Sequence, residues 1–167
     1  MSKSVDDLKT AFAGESQANR EYLAFAKKAD QEGFPQIARL FRAAAASEAV
    51  HAQNHFRAMD GVKGTAENLQ AAIAGENYEV VSMYPPMLVN AEAEGNKRAA
   101  LSFKYALTVE KVHETLYRQA AESFDKGEDM PDTEYYVCPV CGFTHAGPME
   151  GRCPVCNTAA EKFEKIV

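Results

Sequence analysis

A pair of polar residues inside an apolar helical stripe constrains the fold of this chain most strongly. Glu48 and His51 are three residues apart in an Ala-rich segment, so on a helix both side chains project from one face. The stripe around them has the alternating three- and four-residue spacing of an apolar helix face, and it comprises Ile37, Phe41, Ala44, Glu48, His51, His55 and Ala58. We therefore expect a carboxylate and an imidazole on the buried face of a helix.

The segment that carries this polar pair occurs twice. The second copy lies 62 positions further along, the difference between 110 and 48. The matched positions are Glu32-Gly33, Ala38, Phe41, Ala44, Glu48, Val50 and His51 in the first copy, and Glu94-Gly95, Ala100, Phe103, Ala106, Glu110, Val112 and His113 in the second. The chain thus contains a duplicated helix pair, and each copy has one Glu-x-x-His motif.

Capping residues and helix breakers predict the bounds of four helices. The first is expected to begin after Ser4 and to end at Glu32-Gly33, since Ser suits an N-cap and Gly a C-cap. The second is expected to reach about Asp60, and Thr65 is expected to cap the third. Pro85 and Pro86 lack backbone N–H groups, so we expect a kink or local distortion there, just after Tyr84.

Every predicted helix has at least one carboxylate in its apolar stripe. These residues are Glu15, Glu48, Glu76, Glu79 and Glu110, and His51 and His113 accompany them. A single Glu could drift to the bundle surface, but five carboxylates cannot share a dry core without neutralisation. A Glu from each of two helices and a Glu-x-x-His from each of two others is the ligand set of a di-metal site in a four-helix bundle. Oxygen-rich ligation with one imidazole per metal favours iron or manganese over zinc, and we predict two iron ions.

Two further histidines are not predicted to bind metal. His55 lies one turn beyond His51, but its counterpart in the repeat is Tyr117, so we expect it to pack beside the site. His145 lies between the cysteine pairs and is expected to be a loop residue.

All four cysteines lie in the last thirty residues, as Cys138-Pro-Val-Cys141 and Cys153-Pro-Val-Cys156. Two disulfides would suit a secreted protein, whereas paired C-x-x-C motifs in a chain without a secretory signal predict one four-thiolate metal site. A charged segment with Gly and Pro, residues 125–134, precedes them and is predicted to be a linker. The residues beyond the linker are too few for an independent core, so a metal is expected to stabilise them.

Composition excludes several classes of partner. The chain has 46% hydrophobic and 25% charged residues, and no apolar run approaches the roughly 20 residues of a membrane helix. A formal charge of -6 argues against nucleic acid or an anionic membrane as the main partner. The N-terminus lacks the apolar segment of a secretory signal, so we expect a cytoplasmic location.

In combination these motifs resemble the rubrerythrin family over nearly the whole chain. The residues that carry the resemblance are the segment from Ala13-Gly14-Glu15 to Tyr22, Glu48-Ala-Val-His51, Ala74-Gly75-Glu76-Asn-Tyr-Glu79 with Met83-Tyr84-Pro85, Glu110-Lys-Val-His113, and the two Cys-Pro-Val-Cys pairs. The resemblance implies a mainly α fold, with a ferritin-like di-iron four-helix bundle at 1–126, a linker at 127–134 and a rubredoxin-like domain at 135–167. It also implies a peroxidase that reduces hydrogen peroxide to water and protects against oxidative stress.

The resemblance also assigns roles to individual residues. Glu48 and Glu110 resemble bridging carboxylates, and Glu15, Glu76 and His113 resemble terminal ligands. Glu79 and His51 are similar to the pair between which one iron shifts as its oxidation state changes. Tyr22 and Tyr84 match tyrosines beside the site, where either a hydrogen bond to a ligand carboxylate or simple aromatic packing would explain them.

The cysteine site resembles rubredoxin and would hold one iron that returns electrons singly, although a zinc ribbon uses the same four thiolates. The resemblance implies an external donor, either a rubredoxin or an NAD(P)H-dependent reductase. It also implies a head-to-tail homodimer in which the tethered domain serves the partner's site, or a dimer that exchanges helices.

Three functions are alternatives to the peroxidase. They are a ferroxidase or iron-handling protein with a structural zinc module, a di-iron oxygenase, and a non-enzymatic electron-transfer or structural protein.

Overall fold

The structure is a computed structural model that describes residues 2–166. The elements, in chain order, are α1 (Lys3–Gln31), α2 (Pro35–Ala58), α3 (Thr65–Tyr78), a π-helical turn (Glu79–Met83), α4 (Tyr84–Ala93), α5 (Lys97–Asp125), β1 (Tyr135–Val137), β2 (Thr144–Ala146), a 3-10 turn (Ala160–Lys162) and β3 (Glu164–Ile166). The chain divides into two compact units at the boundary between Lys63 and Gly64. We call them the N-terminal unit and the C-terminal unit.

The N-terminal unit is a helical hairpin of α1 and α2 that packs on alanines. Ala38, Ala45 and Ala52 of α2 are buried and recur every seven residues, so they form one narrow face. Ala38 clusters with two small residues of α1, Ala26 and Ala29, and Phe41 packs against this cluster. The Asn19 side-chain amide donates to the Ala45 carbonyl oxygen at 2.7 Å and joins the two helices. Alanine packing, this hydrogen bond and aromatic contacts, such as the Phe12 and Phe56 rings stacked at 5.1 Å, join the two helices.

The expected buried stripe of α2 is displaced from the face that the hairpin buries. The side chain of His51 is 48% exposed and that of Glu48 is 19% exposed, whereas Ala45 is 1% exposed. The prediction that His51 lies on the buried face is therefore wrong within this unit. Alanine permits the closest approach of the helix backbones, so the alanine face packs inward and the polar pair lies beside it.

The two repeats end their first helix in the same way. Gly33 has φ 83° and Gly95 has φ 68°, the left-handed backbone conformation that favours Gly at a helix C-terminus. The next backbone N–H groups, of Phe34 and Asn96, donate to the carbonyl oxygens of Ala29 and Ala91 at 2.9 Å.

The prediction of Ser4 as N-cap was wrong, because α1 begins at Lys3 with Ser2 before it. Thr65 likewise begins α3, and Gly64 is its N-cap.

In the C-terminal unit, α3, the π-helical turn and α4 form one continuous helical run that packs against α5. The π-helical turn ends at Met83, immediately before the Tyr84-Pro85-Pro86 segment. Proline cannot donate a backbone hydrogen bond, so the preceding helix must change its hydrogen-bonding pattern. The helical run is distorted, as predicted, but the distortion lies just before Tyr84 rather than just after it, and Glu79 occupies the first position of the irregular turn.

The C-terminal cysteine module also belongs to this unit. Its sheet has the order β2-β1-β3, with both pairs antiparallel, and β1 residue Val137 lies opposite Thr144 of β2. His145 lies on β2 rather than in a loop, and its Nδ1 atom is 3.0 Å from the Gly147 carbonyl oxygen. The expectation of a loop position for His145 is therefore wrong. Cys138 and Cys153 are the buried residues of the module.

None of the helices within residues 2–166 combines the length and hydrophobicity needed to cross a membrane. The predicted domain boundaries at 126 and 135 stay a prediction, since the compact units follow backbone contacts and divide at residue 63.

Candidate metal centres

A first ligand group lies in the N-terminal unit and consists of Glu15 from α1 and Glu48 and His51 from α2. One ligand atom from each of the three lies within 4.8 Å of the others. The Nδ1 atom of His51 is 2.8 Å from Glu48 Oε2 and 3.9 Å from Glu15 Oε1. The i, i+3 spacing of the Glu-x-x-His motif brings the last two together on one helix face. We call this group the first triad.

A second ligand group has the same composition and lies in the C-terminal unit. Glu76 comes from α3, and Glu110 and His113 come from α5. The Nδ1 atom of His113 is 2.7 Å from Glu110 Oε2 and 4.0 Å from Glu76 Oε1. We call it the second triad. The matching Nδ1–carboxylate contact in both triads agrees with the sequence repeat.

Crowding of carboxylates raises pKa values around the second triad. Burial and the negative charge of Glu110 raise the pKa of Glu76 to about 7, although His113 opposes this. A hydrogen bond between the Glu76 and Glu110 carboxyl groups acts in the same direction. Burial, and then Glu110, also raise the pKa of Glu79. Carboxyl groups this close share a proton unless a cation neutralises them.

Glu79 does not belong to the compact group of the second triad, but its charge interacts with that of Glu76, Glu110 and His113. Its position on the π-helical turn puts its backbone in the least regular part of the helical run. A π-helical turn is frequently found at functional sites.

The two tyrosines differ in their surroundings. Burial, and then the charges of Glu79, Glu110 and Glu76, raise the pKa of Tyr84, so its ring lies near the second triad. The ring of Tyr22 lies 6.2 Å from the rings of both Phe25 and Phe41. Aromatic packing is therefore the observed environment of Tyr22, and a hydrogen bond to a ligand carboxylate stays a prediction for both tyrosines.

The four cysteines form the third group. Their sulfur atoms lie within 4.8 Å of one another, with 3.5 Å between Cys138 and Cys156 and between Cys141 and Cys153. Burial raises the pKa of Cys141 and of Cys153. Burial acts the same way on Cys156, but hydrogen bonds from the Thr158 hydroxyl and backbone outweigh it and lower its pKa to about 6. The Thr158 hydroxyl lies 3.1 Å from Cys156 Sγ.

The cysteine module lies directly against α5 of its own chain. The Thr144 hydroxyl of β2 is 2.9 Å from Nε2 of His113. A Cβ atom on Gly142 would lie 4.0 Å from the Cγ1 atom of Val109, a buried residue one turn before His113. A cavity of about 320 Å³ borders this contact and is lined by Leu69, His113, Leu116, Tyr117, Ala120, Met130, Tyr135 and Thr144. Sequence reasoning missed Thr144, because no spacing rule connects a strand hydroxyl to a helix residue 31 positions away. It also missed Thr158, although this residue lies only two positions after Cys156.

The donor atoms fit the metals that the sequence predicts. Each triad offers carboxylate oxygens and one imidazole, the ligand types that iron, manganese and zinc accept. Four sulfur atoms within 4.8 Å of one another are the ligand set that zinc or iron takes in four-thiolate sites. The structure thus brings ten of the eleven predicted ligands into three compact groups: Glu15, Glu48 and His51; Glu76, Glu110 and His113; and Cys138, Cys141, Cys153 and Cys156. Glu79 is the eleventh, beside the second group.

Comparison with known proteins identifies the family. The Rubrerythrin family model matches residues 6–121, and the model of the rubredoxin-like domain of rubrerythrin matches residues 136–164. Rubrerythrin-2 from Clostridium acetobutylicum is 37% identical and the match covers 96% of this chain and 95% of the relative. Rubrerythrin from Porphyromonas gingivalis is 36% identical, with 99% and 94% covered, and nigerythrin from Nitratidesulfovibrio vulgaris is 34% identical, with 95% and 84% covered.

Solved structures agree with these relatives. A mixed-valence state of nigerythrin matches with a TM-score of 0.57 and 33% identity, and its all-ferrous, fully reduced state matches with 0.58 and 32%. Each match covers 99% of this chain and 88% of the other. The predicted fold class, a mainly α ferritin-like fold with a small rubredoxin-like cysteine module, is confirmed. The chain therefore belongs to the rubrerythrin family.

Proposed function

We propose that this protein is a non-haem di-iron peroxidase that reduces hydrogen peroxide to water. The observation that carries the proposal is the contact between two kinds of site: Thr144, on the strand that follows Cys141, contacts His113 of the second triad. A module for one-electron transfer beside a carboxylate–histidine site suits a redox enzyme. A ferroxidase would not require this arrangement.

In this proposal the ligands of both triads would bind iron, two ions in all. Glu48 and Glu110, with Glu15, Glu76 and His113, would hold the ions, and Glu79 and His51 would be the ligands whose use depends on oxidation state. Reduction of one peroxide molecule to two water molecules consumes two electrons and two protons. Two ferrous ions would supply the electrons, one from each ion.

The chain supplies acid–base groups around this chemistry. The carboxyl of Glu76, whose pKa of about 7 reflects burial and Glu110, can hold or release a proton near neutral pH when no metal is bound. The raised pKa of Tyr84 keeps its hydroxyl protonated, so it can donate a hydrogen bond beside the second triad. We propose that Tyr84, and by its place in the sequence Tyr22, orient ligand carboxylates.

The four cysteines would hold one iron ion, because a metal without redox chemistry could serve only a structural role. The electron donor from outside would be a rubredoxin or an NAD(P)H-dependent reductase. We further propose a cytoplasmic homodimer, with or without exchange of helices, that protects against oxidative stress.

Stopped-flow absorbance tests the proposal. The anaerobically reduced protein is mixed with hydrogen peroxide or, separately, with dioxygen, and the visible band of the ferric four-cysteine site is followed. Rapid return of the band with peroxide and slow return with dioxygen supports the peroxidase. Faster return with dioxygen, or no band at all, instead supports a ferroxidase with a structural zinc module.

A pair of variants tests the role of Glu79. Glu79→Ala should slow turnover with peroxide, whereas Glu122→Ala, an exposed Glu on α5, should leave it unchanged. Wild-type turnover of the Glu79→Ala protein would contradict a ligand role for Glu79.

A further inference from the structure

We propose that Thr144 is a positioning residue that fixes the imidazole of His113 for metal binding and thereby couples the cysteine module to the second triad. The inference rests on the proposed use of the second triad as a metal site, and it adds a residue that the ligand motifs do not contain. Thr144 lies on β2, directly after Cys141, Gly142 and Phe143.

The two ring nitrogens of His113 have different surroundings. Nδ1 faces the carboxylates, 2.7 Å from Glu110 Oε2, while Nε2 lies 2.9 Å from the Thr144 hydroxyl oxygen. The hydroxyl of Thr144 donates its single hydrogen to the Gly142 carbonyl oxygen at 3.3 Å. With that hydrogen bond made, the Thr144 hydroxyl oxygen can accept the Nε2–H of His113. With its proton held on Nε2, Nδ1 would be the ring nitrogen available to a metal bound among the carboxylates.

The hydrogen-bonded path continues into the first cysteine pair. The Gly142 N–H donates to the Cys138 carbonyl oxygen at 3.0 Å, and the Cys138 N–H donates to the Phe143 carbonyl oxygen at 2.9 Å. The backbone that holds Cys138 and Cys141 is therefore the same backbone that accepts from Thr144. Gly142 has φ 81°, a backbone conformation that favours Gly, and a Cβ atom there would make only an ordinary contact with Val109 of α5. The Thr144 hydroxyl thus joins His113, a predicted metal ligand of the second triad, to the backbone that holds Cys138 and Cys141.

His51 of the first triad provides a reference within the same molecule. Its Nδ1 atom makes the same contact with Glu48, at 2.8 Å. Among residues 2–166, however, its Nε2 atom has no hydroxyl partner like Thr144, and its side chain is 48% exposed against 28% for His113. The Nε2 atom of His113 thus has a fixed hydrogen-bond partner, whereas the Nε2 atom of His51 has no such hydroxyl partner among the described residues. Metal-binding histidines usually donate their other ring N–H to a fixed acceptor, and loss of that acceptor typically weakens metal binding by about 10- to 100-fold.

The test uses the full-length chain loaded with Zn²⁺ and labelled with ¹⁵N at histidine, because Zn²⁺ permits sharp NMR spectra. In the wild-type protein the Nε2–H of His113 should be protected from exchange with water. Thr144→Val, which keeps the side-chain shape and removes the hydroxyl, should expose that proton to rapid exchange and leave the His51 signals unchanged. Thr144→Ser should restore protection.

Metal affinity gives a second readout. With the cysteine site filled by Zn²⁺, Thr144→Val should weaken Co²⁺ binding at the second triad by about 10-fold, and Thr144→Ser should restore it to within about twofold. Thr115→Val is the matched control, because Thr115 is exposed on α5 and its hydroxyl donates only to the Lys111 carbonyl oxygen. A folded module in each variant is verified by the thiolate-to-cobalt absorption of a fully Co²⁺-loaded sample.

Unchanged exchange of the His113 Nε2–H in Thr144→Val, or equal loss of protection in Thr144→Ser, would overturn the inference. These NMR outcomes do not depend on turnover. A protein that fails to reduce peroxide but retains the Thr144-dependent protection refutes the proposed reaction and leaves the role of Thr144 intact.

Discussion

Metal binding at the second triad should depend on pH through Glu76. Burial and the charge of Glu110 raise the pKa of this carboxyl to about 7, and a carboxyl must lose its proton before it can bind a metal. Protons therefore compete strongly with the metal below pH 7, and this competition fades as the pH rises above 7. The expected sign is an affinity that increases with pH and reaches a plateau just above neutrality.

The size of the effect follows from this pKa. A carboxyl with a pKa of about 7 is about 97% protonated at pH 5.5 and about 24% protonated at pH 7.5. Proton competition should thus weaken the affinity by about 25-fold between these two pH values, whereas the ordinary pKa of 4.5 would weaken it by only about 10%. Any contribution from the raised pKa of Glu79 would add to this difference.

Calorimetric titration with Co²⁺, with the cysteine site filled by Zn²⁺, measures the effect. The comparison is with Glu76→Gln, which retains every other ligand of the chain. The wild-type pH dependence divided by that of Glu76→Gln should be about 25-fold over this interval. Glu114→Gln is the control, since a hydrogen bond from Arg118 lowers the pKa of Glu114 and keeps it ionised. Equal pH dependence in the wild-type and Glu76→Gln proteins would refute the raised pKa.

Three further predictions concern stability and the cysteine module. In the metal-free chain the raised pKa of Glu76 stabilises the fold below about pH 4.5, and this contribution is lost as pH rises through about 7. The thermal midpoint, followed by circular dichroism, should therefore fall between these pH values. Glu76→Gln should lessen this fall. Thr158→Val removes the hydroxyl near Cys156 Sγ, so the pKa of Cys156 should rise. Alkylation of Cys156 in the metal-free chain at pH 7 should then slow about tenfold and recover in Thr158→Ser. An unchanged rate in Thr158→Val would contradict the hydrogen bond. Gly142→Ala should destabilise the Zn²⁺-loaded protein by about 1–2 kcal/mol in calorimetry, because φ of Gly142 is 81°. Gly75→Ala within α3, where a Cβ meets open space, should stabilise the protein by about 1 kcal/mol. Equal effects of the two substitutions would refute the backbone argument.

The local features of this protein were predictable because they depend on short-range geometry. A spacing of three residues brings Glu48 to His51, and Glu110 to His113, on any regular helix. The paired C-x-x-C motifs predicted the four-thiolate group, and Pro85 and Pro86 predicted a distorted helix. Each of these inferences needs only the helical period, the missing proline N–H or the chemistry of a thiolate.

The face that α2 buries depended on its packing partner. The apolar stripe predicted burial for Glu48 and His51, but the hairpin packs on Ala38, Ala45 and Ala52, which allow a closer approach to α1. Hydrophobic spacing alone does not choose between two adjacent faces when the segment is rich in alanine.

The sequence by itself determined the four helices, the ligand types, their grouping on helix faces and the family. The tertiary structure decided which groups meet across the chain. The contact of Thr144 with His113 and the raised pKa of Glu76 both depend on atoms from elements distant in sequence. Hydrogen bonds, desolvation and charge interactions act over a few ångströms in space, and residue spacing fixes such distances only within a single helix or turn.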